Sequence, residues 1–259
     1  MERNLKFLLI TPSFKRPYML RASILNSANQ THTNFHHSIV INHEEGSDYN
    51  YDLMYDDIIS KFDDKLPVDP FRECYNPPPK YIINYKPNGD QQENYITAIT
   101  QIIRDYPEIY NTIDYILKWD DDEVHKADFL KSINNFINNN PGYHIYSSQI
   151  SNQLNNYHFY TGNSYGHLGG VPDDIDIGHP ATLAFDRTAA EMILLTPEDK
   201  DYWEFRGGGF EDTAWLNYWN KHNLKFKLNK EPNLNYVWHI HGGRGPGKGN
   251  ISTSSWLDD

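Results

Sequence analysis

The stretch from Lys6 to Ile41 limits the choice of fold more than any other part of the chain. Lys6 to Ile10 is a short apolar run ended by Thr11-Pro12-Ser13, and it reads as a strand buried on both faces. After Arg16-Pro17, the spacing of Leu20, Ile24, Leu25 and Ala28 predicts a helix over Tyr18 to Asn29. Proline suits the start of a helix, where its missing N–H has no partner to lose. Ser38 to Ile41 is a second short strand, closed by the polar run Asn42 to Asp48. Strand, helix and strand in this order make a βαβ unit, whose right-handed crossover requires a parallel sheet.

The rest of the chain extends that plan. Tyr81 to Tyr85 reads as a third strand, Gln91 to Asp105 as a helix with Ile96, Ile99, Ile102 and Ile103 on its apolar face, and Tyr115 to Trp119 as a buried strand. Asp128 to Asn139 is a further helix. Beyond it, His144 to Ser148 and His158 to Thr161 suggest antiparallel strands, His179 to Phe185 a strand, and Thr188 to Leu195 a helix. Trp215, Leu216 and Trp219 mark an amphipathic helix after Phe210, and Tyr236 to His241 a last strand before a Gly-rich tail. No repeat or linker divides the chain. The expectation is one α/β domain: a mostly parallel sheet flanked by helices, with a smaller mixed or antiparallel region.

Composition narrows the function. A chain of 259 residues with 38% apolar and 14% aromatic side chains has the material for one substantial core. The formal charge of −12 argues against nucleic acid as the main partner, because phosphate backbones need clustered Lys and Arg. It leaves room for a nucleoside diphosphate, whose charge one divalent cation can neutralise. The single cysteine, Cys74, excludes an internal disulfide framework and points to a reducing compartment. The apolar run Phe7 to Ile10 is too short for a signal-peptide core or a membrane span. A soluble, cytoplasmic protein with no transmembrane segment is expected, with a peripheral membrane association left open.

Ligands of open parallel sheets bind in the crevice at the carboxyl ends of the strands. Three polar clusters fall at such ends: Thr11-Pro12-Ser13, His43-Glu44-Glu45 and Asp120-Asp121-Asp122. Two carboxylates one residue apart can share a hard divalent cation that also holds substrate phosphates. The plainer reading of the three aspartates is an acidic turn that caps the following helix. Gly207-Gly208-Gly209-Phe210-Glu211-Asp212 is a second cluster, where glycines let backbone approach a ligand and a carboxylate meets a helix start. Its plainer reading is a helix cap. His239 and His241 lie on one face of the last strand, and neutral imidazoles can complete an octahedral Mn²⁺ site.

These stretches together resemble a known family. Leu9-Ile10-Thr11-Pro12-Ser13-Phe14-Lys15-Arg16-Pro17 is similar to the opening strand and loop of GT-A-fold glycosyltransferases, family 2 in particular. Ser27-Ala28-Asn29-Gln30-Thr31 resembles the helix end before that family's second strand. Leu117-Lys118-Trp119-Asp120-Asp121-Asp122-Glu123-Val124 and the trailing Asp128-Phe129-Leu130 resemble its DXD segment. The resemblance implies a Rossmann-like GT-A fold with a nucleotide-sugar donor half at 1–130 and an acceptor half at 131–259. It implies transfer of a sugar, with inversion, from a nucleotide sugar, UDP-sugar first, to a hydroxyl of a glycan, lipid-linked or protein acceptor. The implied cofactor is Mn²⁺ or Mg²⁺, held by Asp122 with Asp120 and a late histidine, His241 before His239. The donor would meet Thr11, Pro12, Ser13, Arg16, Glu44 or Glu45, Asp120 and Asp121. Asp212 would be the base and Glu211 its acceptor-orienting neighbour. In this chain Asn42-His43 precede the acid expected directly after the second strand, so Glu44 and Glu45 remain alternatives.

Three other readings stand beside it. A sugar-phosphate nucleotidyltransferase shares a similar sheet and Mg²⁺, but usually has a glycine-rich basic loop after the first strand, and Thr11 to Pro17 has no glycine. A non-catalytic carbohydrate-binding module has no need for so many acids and imidazoles at strand ends. A retaining transferase on the same core is also compatible with the spacing.

Overall fold

A computed structural model describes residues 2–14, 17–43, 80–87, 90–121, 123–148, 150–155, 158–164, 177–178, 182–199, 202, 211–230 and 237–239. Arg16, Glu44, Glu45, Asp122 and His241, together with the glycine run 207–209, lie outside the described residues.

The chain forms a seven-stranded sheet with helices on both faces. Its strands are β1 (Phe7–Phe14), β2 (Phe35–His43), β3 (Tyr81–Pro87), β4 (Tyr115–Lys118), β6 (Ile145–Ser148), β9 (Ala184–Phe185) and β10 (Phe226–Asn229). They lie in the order β10-β6-β9-β4-β1-β2-β3. Only β9 runs against its neighbours, pairing antiparallel with both β4 and β6. Among the described residues there are also two small ribbons: β5 (Glu123–His125) with β11 (Val237–His239), and β7 (Ile150–Asn155) with β8 (His158–Ser164). The α-helices among the described residues are α1 (Pro17–Ala28), α2 (Gln91–Asp105), α3 (Pro107–Tyr110), α4 (Phe129–Asn139), α5 (Arg187–Leu195) and α6 (Glu211–Lys221). No helix among the described residues is long and apolar enough to cross a membrane.

Alternation along the central strands sorts the core into two layers, since successive side chains point to opposite faces. Leu8 and Ile10 of β1 and Ile116 of β4 face one side, where they pack with Tyr95, Ala98 and Ile102 of α2 and with Trp215, Leu216 and Trp219 of α6. Phe7 and Leu9 of β1 and Leu117 of β4 face the other, against Phe129, Leu130, Ile133 and Ile137 of α4. Leu20 and Ile24 of α1 close a third cluster over Ile39 and Ile41 of β2. Trp215 is thus a core residue, edge-on to Tyr95 at 5.2 Å between ring centroids.

Three expectations need correction. Thr11-Pro12-Ser13 does not end the first strand, because β1 continues to Phe14 in register with β2. Pro12 is tolerated because its nitrogen shares the direction of the Ile10 carbonyl, which accepts from Trp119 on the β4 side. The β4 ladder stops at the Ile10–Lys118 pair, so no hydrogen bond is lost there. The Ile145–Ser148 strand is not half of an antiparallel pair with the His158 strand. It joins the main sheet parallel to β10, and the antiparallel partner of β8 is β7. The strand expected over His179 to Phe185 is only Ala184–Phe185 among the described residues. Just before it, Gly178 lies so close to β6 that an added Cβ would sit 2.3 Å from the Ser148 carbonyl oxygen, a place only glycine can fill.

His37 of β2 is completely enclosed, held between Thr11 Oγ1 at 2.7 Å and Ser27 Oγ at 3.0 Å. Burial, with the Lys80 charge adding to it, pushes the ring down to about 3 from 6.5. Below pH 6.5 the unfolded chain takes up a proton that the folded ring refuses, so stability present above pH 6.5 is lost as pH falls toward 3. Between pH 6.5 and 5, wild type should therefore lose about 1 kcal/mol per pH unit more than His37→Gln, read from urea melts. Parallel pH slopes for the two proteins would contradict a neutral, buried His37.

Candidate active site

The site lies where the carboxyl ends of β1 and β4 meet the first turn of α6. The β1–β4 register pairs Ile10 with Lys118, and the Trp119 amide then donates to the Ile10 carbonyl at 3.0 Å. Asp120 and Asp121 therefore emerge beside Pro12 and Ser13, at the crevice edge of the sheet. The cluster is not a helix cap. It is followed by β5, and Asp128, at the N-cap position of α4, makes no side-chain cap hydrogen bond.

Each described acid has a defined partner. The Ser13 hydroxyl donates to Asp121 Oδ2 at 2.7 Å, and both residues are buried. The side chain of Asp121 is thus turned back onto β1. Asp120 keeps part of its side chain in contact with solvent; its Oδ1 accepts from the Tyr95 hydroxyl at 2.7 Å, and its Oδ2 lies 3.5 Å from Lys118 Nζ. Asp212, the second residue of α6, has Oδ1 at 2.5 Å from the same Lys118 Nζ. Its carboxylate is therefore spent on β4 and not on capping its own helix. Burial pushes the Asp212 carboxyl above the usual carboxylate range, with the charge of Asp120 adding to this, while the Lys118 ammonium pulls the other way. A raised carboxyl at a crevice is a common property of general bases.

Thr11 is fully buried. Its hydroxyl donates to the Trp119 carbonyl and meets His37, so the side chain joins β1, β2 and the end of β4 instead of facing the crevice. Pro12 and Ser13 are buried in the same strand end. Glu211 opens α6, and His239 ends β11; both are described by backbone position.

The β5–β11 ribbon links the acidic turn to the end of the chain. Its register sets His239 opposite Glu123, one residue past Asp122. Glu123 and His125 are enclosed, and His125 is stacked against Phe129 at 4.3 Å and tilted against Trp119 at 4.0 Å. Burial pushes the His125 ring down to about 3, so it is neutral. The 3.6 Å gap from its Nε2 to Glu123 Oε2 is then neither an ion pair nor a hydrogen bond. Among the described residues no group of three or more His, Cys, Asp or Glu is gathered to hold a metal. Of the expected ligands, Asp122 and His241 lie outside that set. The oxygen donors of this strand end are of the kind a hard divalent cation takes, and β11 delivers the histidine-bearing segment to the same turn.

Four residues of this site were not among the sequence-derived candidates: Lys118, Tyr95, Asn26 and Gln30. Lys118 had a signal, a lone charge in the otherwise apolar run Tyr-Ile-Leu-Lys-Trp. Tyr95 had none, because a tyrosine on a helix face is ordinarily core. Asn26, in the last turn of α1, and Gln30, two residues past its end, hold the segment after the acids through its backbone. Asn26 Nδ2 donates to the His125 carbonyl at 2.6 Å and its Oδ1 accepts from the His125 amide at 2.8 Å, as a neighbouring strand would. Gln30 Nε2 donates to the Lys126 carbonyl at 2.8 Å, its Oε1 accepts from the Leu130 amide at 3.1 Å, and the Thr31 amide donates to the Ala127 carbonyl at 2.7 Å.

No protein-family model matches the sequence, and no curated protein sequence does either. Solved structures do match. S. aureus TarS residues 1–349 superposes with a TM-score of 0.53 at 13% identity, over 91% of this chain and 60% of that one. The same TarS fragment in complex with UDP gives a TM-score of 0.50 at 12% identity, over 90% and 60%. The mannosyltransferase PcManGT from Pyrobaculum calidifontis, in complex with GDP-Man and Mn²⁺, gives 0.53 at 11% identity, over 93% and 58%. The chain thus spans about 60% of the length of these structures. The expected architecture, a GT-A-type mostly parallel sheet flanked by helices, is the one observed, and it is shared with glycosyltransferases.

Because Asn26 and Gln30 satisfy buried and part-buried backbone groups, Asn26→Ala and Gln30→Ala should each cost about 1–3 kcal/mol of stability in urea melts. A loss under about 0.5 kcal/mol in both, the range of ordinary surface changes, would show that the clamp is not formed.

Proposed function

We propose that this protein is a nucleotide-sugar-dependent glycosyltransferase that passes a sugar to an acceptor hydroxyl with inversion. One observation carries the reading: Asp120 at the end of β4 and Asp212 at the start of α6, far apart in sequence, meet across a single lysine at the crevice edge of a GT-A-type sheet. The complexes of similarly folded proteins with UDP, and with GDP-Man and Mn²⁺, support the donor class. In this reading residues 1–130 serve the donor and residues 131–259 the acceptor, and a UDP-sugar is the first donor to try.

Asp122 would hold a divalent cation together with Asp120 and a late histidine, His241 before His239. His239 ends the strand β11, which pairs with β5 directly after the acidic turn, and His241 follows it by two residues in the sequence. When bound, such a cation supplies positive charge for the departing nucleoside diphosphate. The chain's own work is proton transfer and placement. Asp212 takes the proton of the acceptor hydroxyl as its oxygen attacks the anomeric carbon, and the raised carboxyl makes that transfer easier near neutral pH. Glu211, its neighbour in the first turn of α6, orients the acceptor. Asp120 receives the donor's ribose or sugar hydroxyls, with Tyr95 holding its carboxylate at a fixed angle. Ser13 and Pro12, with Arg16 and Glu44 or Glu45, border the nucleoside.

Calorimetric titration with UDP and with GDP, each with and without Mn²⁺, tests the donor half. Binding that depends on Mn²⁺ and disappears in Asp122→Ala is expected. Asp212→Asn should bind the nucleotide as wild type does, yet lose about 10²–10⁴-fold in turnover. Wild-type turnover in Asp212→Asn would remove the base from this scheme.

A further inference from the structure

The lysine between the two carboxylates breaks the rule that built the strand around it. Lys118 shares the parity of Ile116, so it faces the layer filled by α2 and α6. A strand buried on both faces calls for an apolar residue there. Its side chain is instead a cation with 1% exposure. An ammonium is enclosed this fully only where partners replace its water. Here Asp212 Oδ1 accepts at 2.5 Å, Asp120 Oδ2 stands at 3.5 Å, and the Tyr95 ring lies 5.5 Å away by its centroid.

We propose that Lys118 is a positioning residue that seats the Asp212 carboxylate beside Asp120, so that the acceptor-side base is locked to the donor-side strand end before an acceptor arrives. The inference rests on the reading of Asp212 as the base. The backbone of Lys118 is itself tied into the sheet, its amide donating to the Leu183 carbonyl of the segment entering β9 at 3.1 Å. The ammonium therefore projects from a central strand bonded on both sides. A base on the first turn of a helix inherits whatever looseness that turn has, and a hydrogen bond from the central sheet removes it. Misplacement of a reacting group by about 1 Å costs on the order of 10²-fold in rate. One oxygen of Asp212 is taken by Lys118, which leaves Oδ2 to accept the acceptor's proton. Tyr95 completes the arrangement by holding the other oxygen of Asp120, so both carboxylates are pinned from the sheet and α2.

The test uses the full chain and the Mn²⁺-dependent hydrolysis of UDP-glucose, UDP-N-acetylglucosamine and GDP-mannose, taking whichever wild type turns over, with water as acceptor. Lys118→Met should lower kcat about 100-fold while the donor KM stays within about threefold. Lys118→Arg, which keeps the charge and the donors, should recover at least about tenfold of that loss. A lysine that merely braces α6 would lower the melting temperature and leave kcat per folded molecule unchanged, and that result overturns the proposal. So does a Lys118→Arg protein no faster than Lys118→Met. Should Lys118→Met fail to fold, Lys118→Gln carries the comparison, and a wild-type kcat in that variant likewise overturns it. If wild type hydrolyses no donor and binds neither UDP nor GDP, the transferase reading itself falls and takes this inference with it. Wild-type turnover with unchanged kcat in the Lys118 variants removes the lysine's role alone.

Discussion

Every feature of the crevice depends on the register between β1 and β4. Phe7 to Ile10 of β1 are completely buried, with alternate side chains in two different cores, and the same holds for Ile116 and Leu117 of β4. A slip of one residue would turn each of these side chains to the wrong layer, and with them Lys118. The register is therefore held by two cores at once. It sets the point at which β4 ends, and so the place where Asp120 and Asp121 leave the sheet.

Polar groups then do at the crevice what apolar ones do inside. Asp121 is answered by Ser13, Asp120 by Tyr95, and Asp212 by Lys118. Buried charge is costly unless paired, so each of these contacts fixes a side chain in one arrangement while it offsets desolvation. The arrangement joins four elements, β1, β4, α2 and α6, around three carboxylates. The segment that follows the acids is held by Asn26 of α1 and by Gln30 just after it, and is met by β11 from the last part of the sequence. A short polar strand such as β5 has little propensity of its own. It persists because its backbone is bonded on one side by the Asn26 side-chain amide and on the other by β11.

The βαβ opening, the helix over Gln91 to Asp105, the buried strand before the acids and the helix with Trp215 and Trp219 were all legible in the sequence, because hydrophobic period reports burial directly. The capping box at the start of α2, where Asp90 and Glu93 satisfy each other's backbone amides, adds a local signal of the same kind. The strands β5, β7 and β10 were not legible. Glu123–His125, Ile150–Asn155 and Phe226–Asn229 are polar or mixed, and what makes them strands is a partner supplied from elsewhere. The parallel pairing of β6 was misread for the same reason. A strand's own residues do not say which neighbour lies beside it, and β9, only two residues long, decides that β6 joins the main sheet.

The sequence by itself determined that the chain would build a parallel sheet with its acids at a strand end, since alternation and strand-breaking residues are local properties. Tertiary structure decided what those acids do. It brought Asp212 to Asp120 through Lys118, turned Asp121 inward to Ser13, and set His239 opposite Glu123. These are contacts between distant segments whose geometry follows from packing two cores around one sheet, and no local pattern encodes the distance between residues that only folding makes neighbours.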